Sequence, residues 1–267
     1  MTELAPMGFR KTPFTRELEI SDRFVFNFQK EAADALHDTV VRRMSCSLVA
    51  PAGTGKTVVL RLLTSLLPEA RYRVRYVKVT GLSRRDICKE ISFACGLEPA
   101  GGYPALLRRL QDHCTQLSAT DGLRTVLILD EAHDLRTDSL AILRLLTNFS
   151  MDSKLVLSVI LAGQPPLGTM LESPGAEAVA QRLAHRATLR MASREECRAY
   201  IEHRCRLAGA QQIPFDAEAI EVIYEMSRGN LRAIDHLSLK ALQGADKAGR
   251  TVVSSGDVLA GRQQLWL

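Results

Sequence analysis

Glycine, lysine and threonine stand together in Ala50-Pro51-Ala52-Gly53-Thr54-Gly55-Lys56-Thr57, and those residue types can hold a triphosphate. Gly53 and Gly55 let the backbone turn successive N–H groups inward, and a helix opening at Lys56 adds the positive end of its dipole. Lys56 can reach the β- and γ-phosphates, and the Thr57 hydroxyl is placed to ligate Mg²⁺. The common pattern opens with glycine, whereas Ala50 stands here; the other marker positions are intact. The flanks supply the required context. Cys46-Ser47-Leu48-Val49 reads as a strand and Val58-Val59-Leu60-Arg61-Leu62-Leu63 as a helix, so the stretch is a strand–loop–helix phosphate-binding P-loop. Its predicted nucleotide contacts are Ala52, Gly53, Thr54, Gly55, Lys56, Thr57 and Val58.

A second stretch, Val126-Leu127-Ile128-Leu129-Asp130-Glu131-Ala132-His133, is a continuous apolar run ended by two acids. That is the pattern of a strand buried on both faces. With a period of two, Asp130 and Glu131 are expected to point differently from its C-terminal edge. Asp130 can hold Mg²⁺ through water, joining Thr57 as a metal contact, and Glu131 can polarise an attacking water as general base. An acidic pair alone more often caps a helix. Beside a P-loop it implies nucleotide hydrolysis, with ATP and Mg²⁺ as the expected cofactors.

The elements that must position these residues follow from periodicity. At 267 residues the chain fits one large or two modest domains. Helical spacing predicts helices over 29–43, 56–67, 83–95, 104–117 and 137–150, and strands over 73–80 and 155–161. Strands alternating with helices imply a parallel sheet with crossovers. After about Met191 the pattern becomes helical, opening with the capping box Ser193-Arg194-Glu195-Glu196. The predicted division is an N-terminal arm over 1–23, an α/β core over 24–192, and a helical lid with a tail over 193–267. The arm is expected to lie across the main domain. Its Phe9 and Phe14 either pack near a nucleotide base or simply anchor the arm.

The net charge of +5 and pI of about 9.0 are compatible with nucleic acid without being diagnostic. The six cysteines form no CxxC pair, which implies buried reduced thiols. No signal peptide and no membrane-length apolar run stand in the sequence, so the expectation is a cytoplasmic protein without membrane contact.

The motifs together resemble the AAA+ ATPases, and most specifically the group of ExeA-like ATPases and ATPase regulators of transposition (TnsC/TniB). The residues that carry the likeness are Gly8-Phe9 through Pro13-Phe14, the P-loop, Leu129 through His133, Leu161-Ala162-Gly163-Gln164-Pro165, and Ser227-Arg228-Gly229-Asn230-Leu231-Arg232. The resemblance implies an α/β P-loop AAA+ core with a parallel five-stranded sheet and a small C-terminal helical lid. It also implies that Gln164 is the polar sensor beside the γ-phosphate and that Arg232 is the second sensor, in the lid. Arg182 matches the finger supplied in trans to a neighbouring subunit's ATP, with Arg186 one helical turn on as its rival. A trans finger requires a homo-oligomer, either a ring or a filament.

The helices over 83–95 and 104–117 resemble the extra helical element of DNA-associated AAA+ proteins. Arg84, Arg85, Lys89, Arg108 and Arg109 are expected opposite their apolar faces, where they would meet the phosphates of double-stranded DNA. A solvated basic face is the alternative. The leading expectation is therefore a transposition regulator that assembles on DNA with ATP, recruits a transposase with a target-selection protein, and disassembles on hydrolysis. An ExeA-like ATPase of secretion or envelope assembly is the competing expectation. The chain ends at Leu267 without the transmembrane and peptidoglycan-binding regions that role implies, which favours the former. The tail Gln263-Gln264-Leu265-Trp266-Leu267 reads as a docking peptide or as packing against the lid.

Overall fold

The computed structural model describes residues 4, 7–15, 18, 22–147 and 155–265. Trp266 and Leu267, and with them the end of the tail, lie outside the described residues. The chain divides into two compact units, one over residues 28–51 and 56–189, the other over the described residues to Asn27, Ala52–Gly55 and Arg190 onward.

The α/β unit runs α1 (Asn27–Val41), β1 (Ser45–Val49), α2 (Lys56–Leu66), β2 (Tyr72–Lys78), α3 (Arg84–Ala94), α4 (Tyr103–Thr120) and β3 (Arg124–Asp130). It continues with a 3₁₀ turn over Ala132–Asp134, α5 (Thr137–Thr147), β4 (Leu157–Gly163), α6 (Pro166–Leu171), α7 (Glu177–Ala180) and β5 (Leu183–Thr188). The strands order as β2-β3-β4-β1-β5, and every pairing is parallel.

Period-two alternation explains the apolar runs. In β3, Val126 and Ile128 join one core with Leu36, Val59, Leu63 and Leu48. Leu127 and Leu129 join another with Ile87, Leu106, Leu110 and Leu161. Both faces of the strand are covered, so every position from Thr125 to Asp130 is buried. At the edges the pattern loosens. β2 shows Tyr76 and Lys78 towards solvent, and β5 buries only Ala187. The fifth strand therefore has no apolar run to announce it. It forms because β1 offers an open edge, pairing Cys46 with His185 and Ser47 with Arg186.

The helical unit contains α8 (Arg194–Leu207), α9 (Ala217–Ser227), α10 (Leu231–Lys247) and α11 (Ser255–Arg262). The predicted capping box is present: Ser193 Oγ accepts from Glu196 N at 3.3 Å, and Ser193 N donates to Glu196 at 2.7 Å. The arm corrects its expectation, for its described residues pack on these helices. Arg10 N and Lys11 N both donate to Ala208 O, at 2.8 and 3.1 Å. Phe14 meets Phe215 edge to face at 6.2 Å, and the buried Arg204 lies over the Phe14 and Tyr200 rings. Arg204 also donates to Thr15 O at 2.6 Å and to Tyr200 Oη at 2.9 Å. Phe9 and Phe14 are buried, so they anchor the arm. Among the described residues no helix is long and apolar enough to cross a membrane.

Candidate active site

Lys56 follows β1, Asp130 ends β3 and Gln164 follows β4, so neighbouring parallel strands deliver the site's residues at their carboxyl ends. Open α/β sheets bind ligands there. The loop after β1 uses its glycines as expected: Gly53 and Gly55 have φ of +79° and +91°, a region closed to most side chains. Helix α2 then begins at Lys56, with Thr57 exposed in its first turn.

Lys56 Nζ lies 2.6 Å from Asp130 Oδ1 and 2.7 Å from Glu131 Oε1. The two carboxylates thus converge on one ammonium, which corrects the expectation that they diverge. The reason is backbone conformation. Glu131 sits at φ 56°, ψ 34°, a left-handed turn that leaves the strand's alternation and brings its side chain back over the strand end. Such a conformation costs a non-glycine residue on the order of 1–2 kcal/mol and persists only where surrounding contacts hold it. Here they do: Glu131 N donates to Asp130 Oδ1 at 2.8 Å and Asp134 N donates to Glu131 O at 2.9 Å.

Sequence reasoning assigned no role to two further side chains of this unit. His133 Nδ1 lies 3.5 Å from Glu131 Oε2 and accepts from Gln164 N at 3.3 Å, while its Nε2 is 3.1 Å from Gln164 Nε2. His133 therefore links the general-base candidate to the sensor candidate. Tyr76 Oη donates to Asp130 Oδ2 at 2.8 Å. Burial, that hydrogen bond and the nearby Asp130 and Glu131 charges hold the Tyr76 phenol protonated far above its ordinary range, so it acts as a donor. His133 ends the acidic stretch but has no role assigned by its spacing; Tyr76 belongs to no local motif, and only strand register finds it.

Within the helical unit, Asn230 caps α10, its Oδ1 accepting from Arg232 N and Ala233 N at 3.1 and 3.2 Å. Its Nδ2 donates to Ala52 O at 2.9 Å, and Leu231 N donates to Gly53 O at 2.9 Å. A Cβ at Gly53 would overlap the Asn230 amide, a second reason for glycine there. Arg232 is exposed in the first turn of α10.

Arg182 and Arg186 are not one helical turn apart: Arg182 follows α7, and Arg186 lies inside β5. Arg182 is half-buried beside Leu143, Val159 and Val179. Arg186 donates to Glu172 Oε1 at 2.6 Å. On the α3–α4 hairpin, Arg84 lies on the same stripe as Ile87, Cys88 and Ile91 and is exposed only because it opens the helix. Arg85 donates to Gly101 O at 3.4 Å and Arg109 donates to Ala100 O, so both guanidinium groups serve the loop joining the helices. Lys89 is 3.8 Å from Asp86, and Arg108 is exposed. All six cysteines are free and buried; burial pushes the Cys46, Cys88, Cys197 and Cys205 thiols up to about 12 and Cys114 to about 11.

Residues 40–171 match a family model described as AAA domain (AAA_22). That stretch, just under half of the chain, is similar to AAA domains. The fold is found again in solved structures: the Pyrobaculum aerophilum CDC6P protein (TM-score 0.73, 17% identity, 94% of this chain and 70% of that one) and the Aeropyrum pernix ORC1 protein in complex with DNA (0.71, 18%, 96% and 69%). The Thermotoga maritima RuvB Holliday junction branch migration motor is more distant (0.57, 17%, 90% and 68%). In sequence the chain is 34% identical over 213 residues to General secretion pathway protein A of Aeromonas hydrophila, a match covering 79% of this chain and 39% of that protein. Of the two expected roles, this match backs the secretion-type one better than the transposition regulator, and the chain spans about two fifths of that relative's length.

Proposed function

We propose that this chain binds and hydrolyses ATP with Mg²⁺ and uses its nucleotide state to drive assembly of a secretion or cell-envelope complex. The observation that carries the hydrolytic part is the convergence of Asp130 and Glu131 on Lys56 at 2.6 and 2.7 Å beside a glycine-rich loop. The donor set fits a metal–nucleotide. Two carboxylates already hold a cation between them, and Thr57 supplies an exposed hydroxyl. Sequence identity with a general secretion pathway protein supports the assembly role.

A triphosphate competes with the carboxylates for the one ammonium. When Lys56 turns to the phosphates, Glu131 is released to polarise water, and Asp130 is released to hold the metal together with Thr57. Asp130 and Thr57 would hold the Mg²⁺, whose chemistry there would be to neutralise charge on the phosphoryl oxygens. In this reading Gln164, held by its contacts with His133, addresses the attacked phosphate, with Arg182 and Arg232 as trans finger and second sensor. The test is phosphate release and sedimentation of the purified chain with ATP, with and without duplex DNA. Lys56→Ala is expected to abolish both nucleotide binding and assembly. Nucleotide-dependent assembly indifferent to DNA supports the secretion reading; assembly that requires duplex moves the function to transposition, served by the exposed Arg84 and Arg108. ATP-dependent assembly by the Lys56→Ala chain would refute the site.

A further inference from the structure

The Asp130 carboxylate is held at both oxygens. Oδ1 takes Lys56 Nζ at 2.6 Å and Glu131 N–H at 2.8 Å, while Oδ2 accepts from the Tyr76 hydroxyl at 2.8 Å. Tyr76 comes from a different strand. Parallel register pairs Tyr76 with Ile128 and Lys78 with Asp130, so the tyrosine stands one pleat repeat behind the acid, and its side chain spans that step. Its ring is 53% exposed on an edge strand and lines a cavity of about 740 Å³ that also touches Thr57, Arg61 and Ile128. A half-exposed aromatic contributes little to the core, and packing alone would be met by phenylalanine. What tyrosine adds is one hydroxyl, aimed at a carboxylate.

From this geometry we infer that Tyr76 is a positioning residue for Asp130 in metal–nucleotide binding. The inference rests on the reading of Asp130 as a metal contact. Lys56 cannot serve the phosphates and Asp130 at once. When it leaves, the carboxylate keeps one donor on each oxygen, Glu131 N–H on Oδ1 and Tyr76 Oη on Oδ2. Two donors on opposite oxygens fix the plane of the carboxylate and hence the direction of its remaining lone pairs. Without the hydroxyl the group is free to turn about its Cβ–Cγ bond, and the metal must order it on binding. Charge-assisted hydrogen bonds of this kind are among the stronger ones in proteins.

Tyr76→Phe isolates the hydroxyl, and a fluorescent ATP analogue titrated with Mg²⁺ reads the effect without turnover. The Mg²⁺ concentration giving half-maximal nucleotide binding is expected to rise about fivefold, the worth of one hydrogen bond to a charged acceptor partly replaced by water. Nucleotide binding in EDTA is expected to stay within error of the parent chain, a pattern that mere loss of packing would not give. Rotating the acid should also lower kcat at saturating Mg²⁺ with little change in KM for ATP. An unchanged Mg²⁺ midpoint in Tyr76→Phe, with the parent chain binding normally, overturns the positioning role alone. If the parent chain shows no Mg²⁺-dependent nucleotide binding, the functional reading falls, and this inference falls with it.

Discussion

Glu131 is placed by its own backbone, at φ 56°, and by Lys56, whose ammonium it meets at 2.7 Å. Its 27% side-chain exposure leaves room for a water molecule, whereas Asp130, at 7%, is shielded. The two acids therefore differ in environment as well as in sequence position. Glu131→Gln keeps the shape and hydrogen-bonding reach but removes the base, so single-turnover phosphate release is expected to fall about 10²–10⁴-fold. Nucleotide binding should persist, and the assembled state should accumulate. Rapid-quench measurements with a sedimentation assay check both; unchanged release would remove Glu131 from the base role.

Among the elements, helix α10 is tied down at its first turn. Asn230 satisfies two of its orphan N–H groups and bonds to Ala52 O, while Leu231 N reaches Gly53 O. Asn230→Ala removes the cap, worth about 1 kcal/mol, and loosens the glycine loop. Urea melts should record the destabilisation and a binding titration the weaker nucleotide affinity. Helix α11 gives a pH test. Asp257, buried and facing Arg250 at 2.7 and 2.5 Å, also accepts from Ser254 N at 2.9 Å. Burial pushes its carboxyl up, but the Arg250 and Ser254 bonds outweigh that and hold it below the usual range. A folded-state pKa lower than the unfolded one contributes stability at pH above the unfolded value, lost as pH falls through the folded one. Asp257→Asn should therefore be less stable than the parent at pH 7, and the gap should close below about pH 4. A gap of equal size at pH 3 would mean that the ionised carboxylate is not what stabilises the helix.

For the whole molecule, the untested step is whether one chain completes another's site. Arg182 follows α7 and Arg186 lies in β5 bonded to Glu172, so they can be separated by substitution. A trans arginine contributes on the order of 10³-fold or more to phosphoryl transfer. If Arg182 is that finger, chains bearing Arg182→Ala and chains bearing Glu131→Gln should each be nearly inactive. Their mixture should regain part of the phosphate release, because intact halves meet at some interfaces. Restoration with Arg186→Ala in place of Arg182→Ala would hand the role to Arg186; no restoration with either would place no finger here.

The sequence by itself determined what is local. The P-loop, the doubly buried β3 run and the Ser193–Glu196 capping box each depend on spacings within about one helical turn or one strand, and each formed where the pattern stood. Tertiary structure decided what depends on distant partners. Strand β5 carries too few apolar residues to be seen and exists because β1 has an open edge. The arm settled on the C-terminal helices because Arg204, far along the chain, lies over the Phe14 ring and donates to Thr15 O. The acids converge because one residue turned left-handed, and Tyr76 reaches Asp130 only through the register of neighbouring strands. Local residue pattern fixes where elements begin and end; hydrogen bonding and burial between elements far apart in the chain decide which side chains meet.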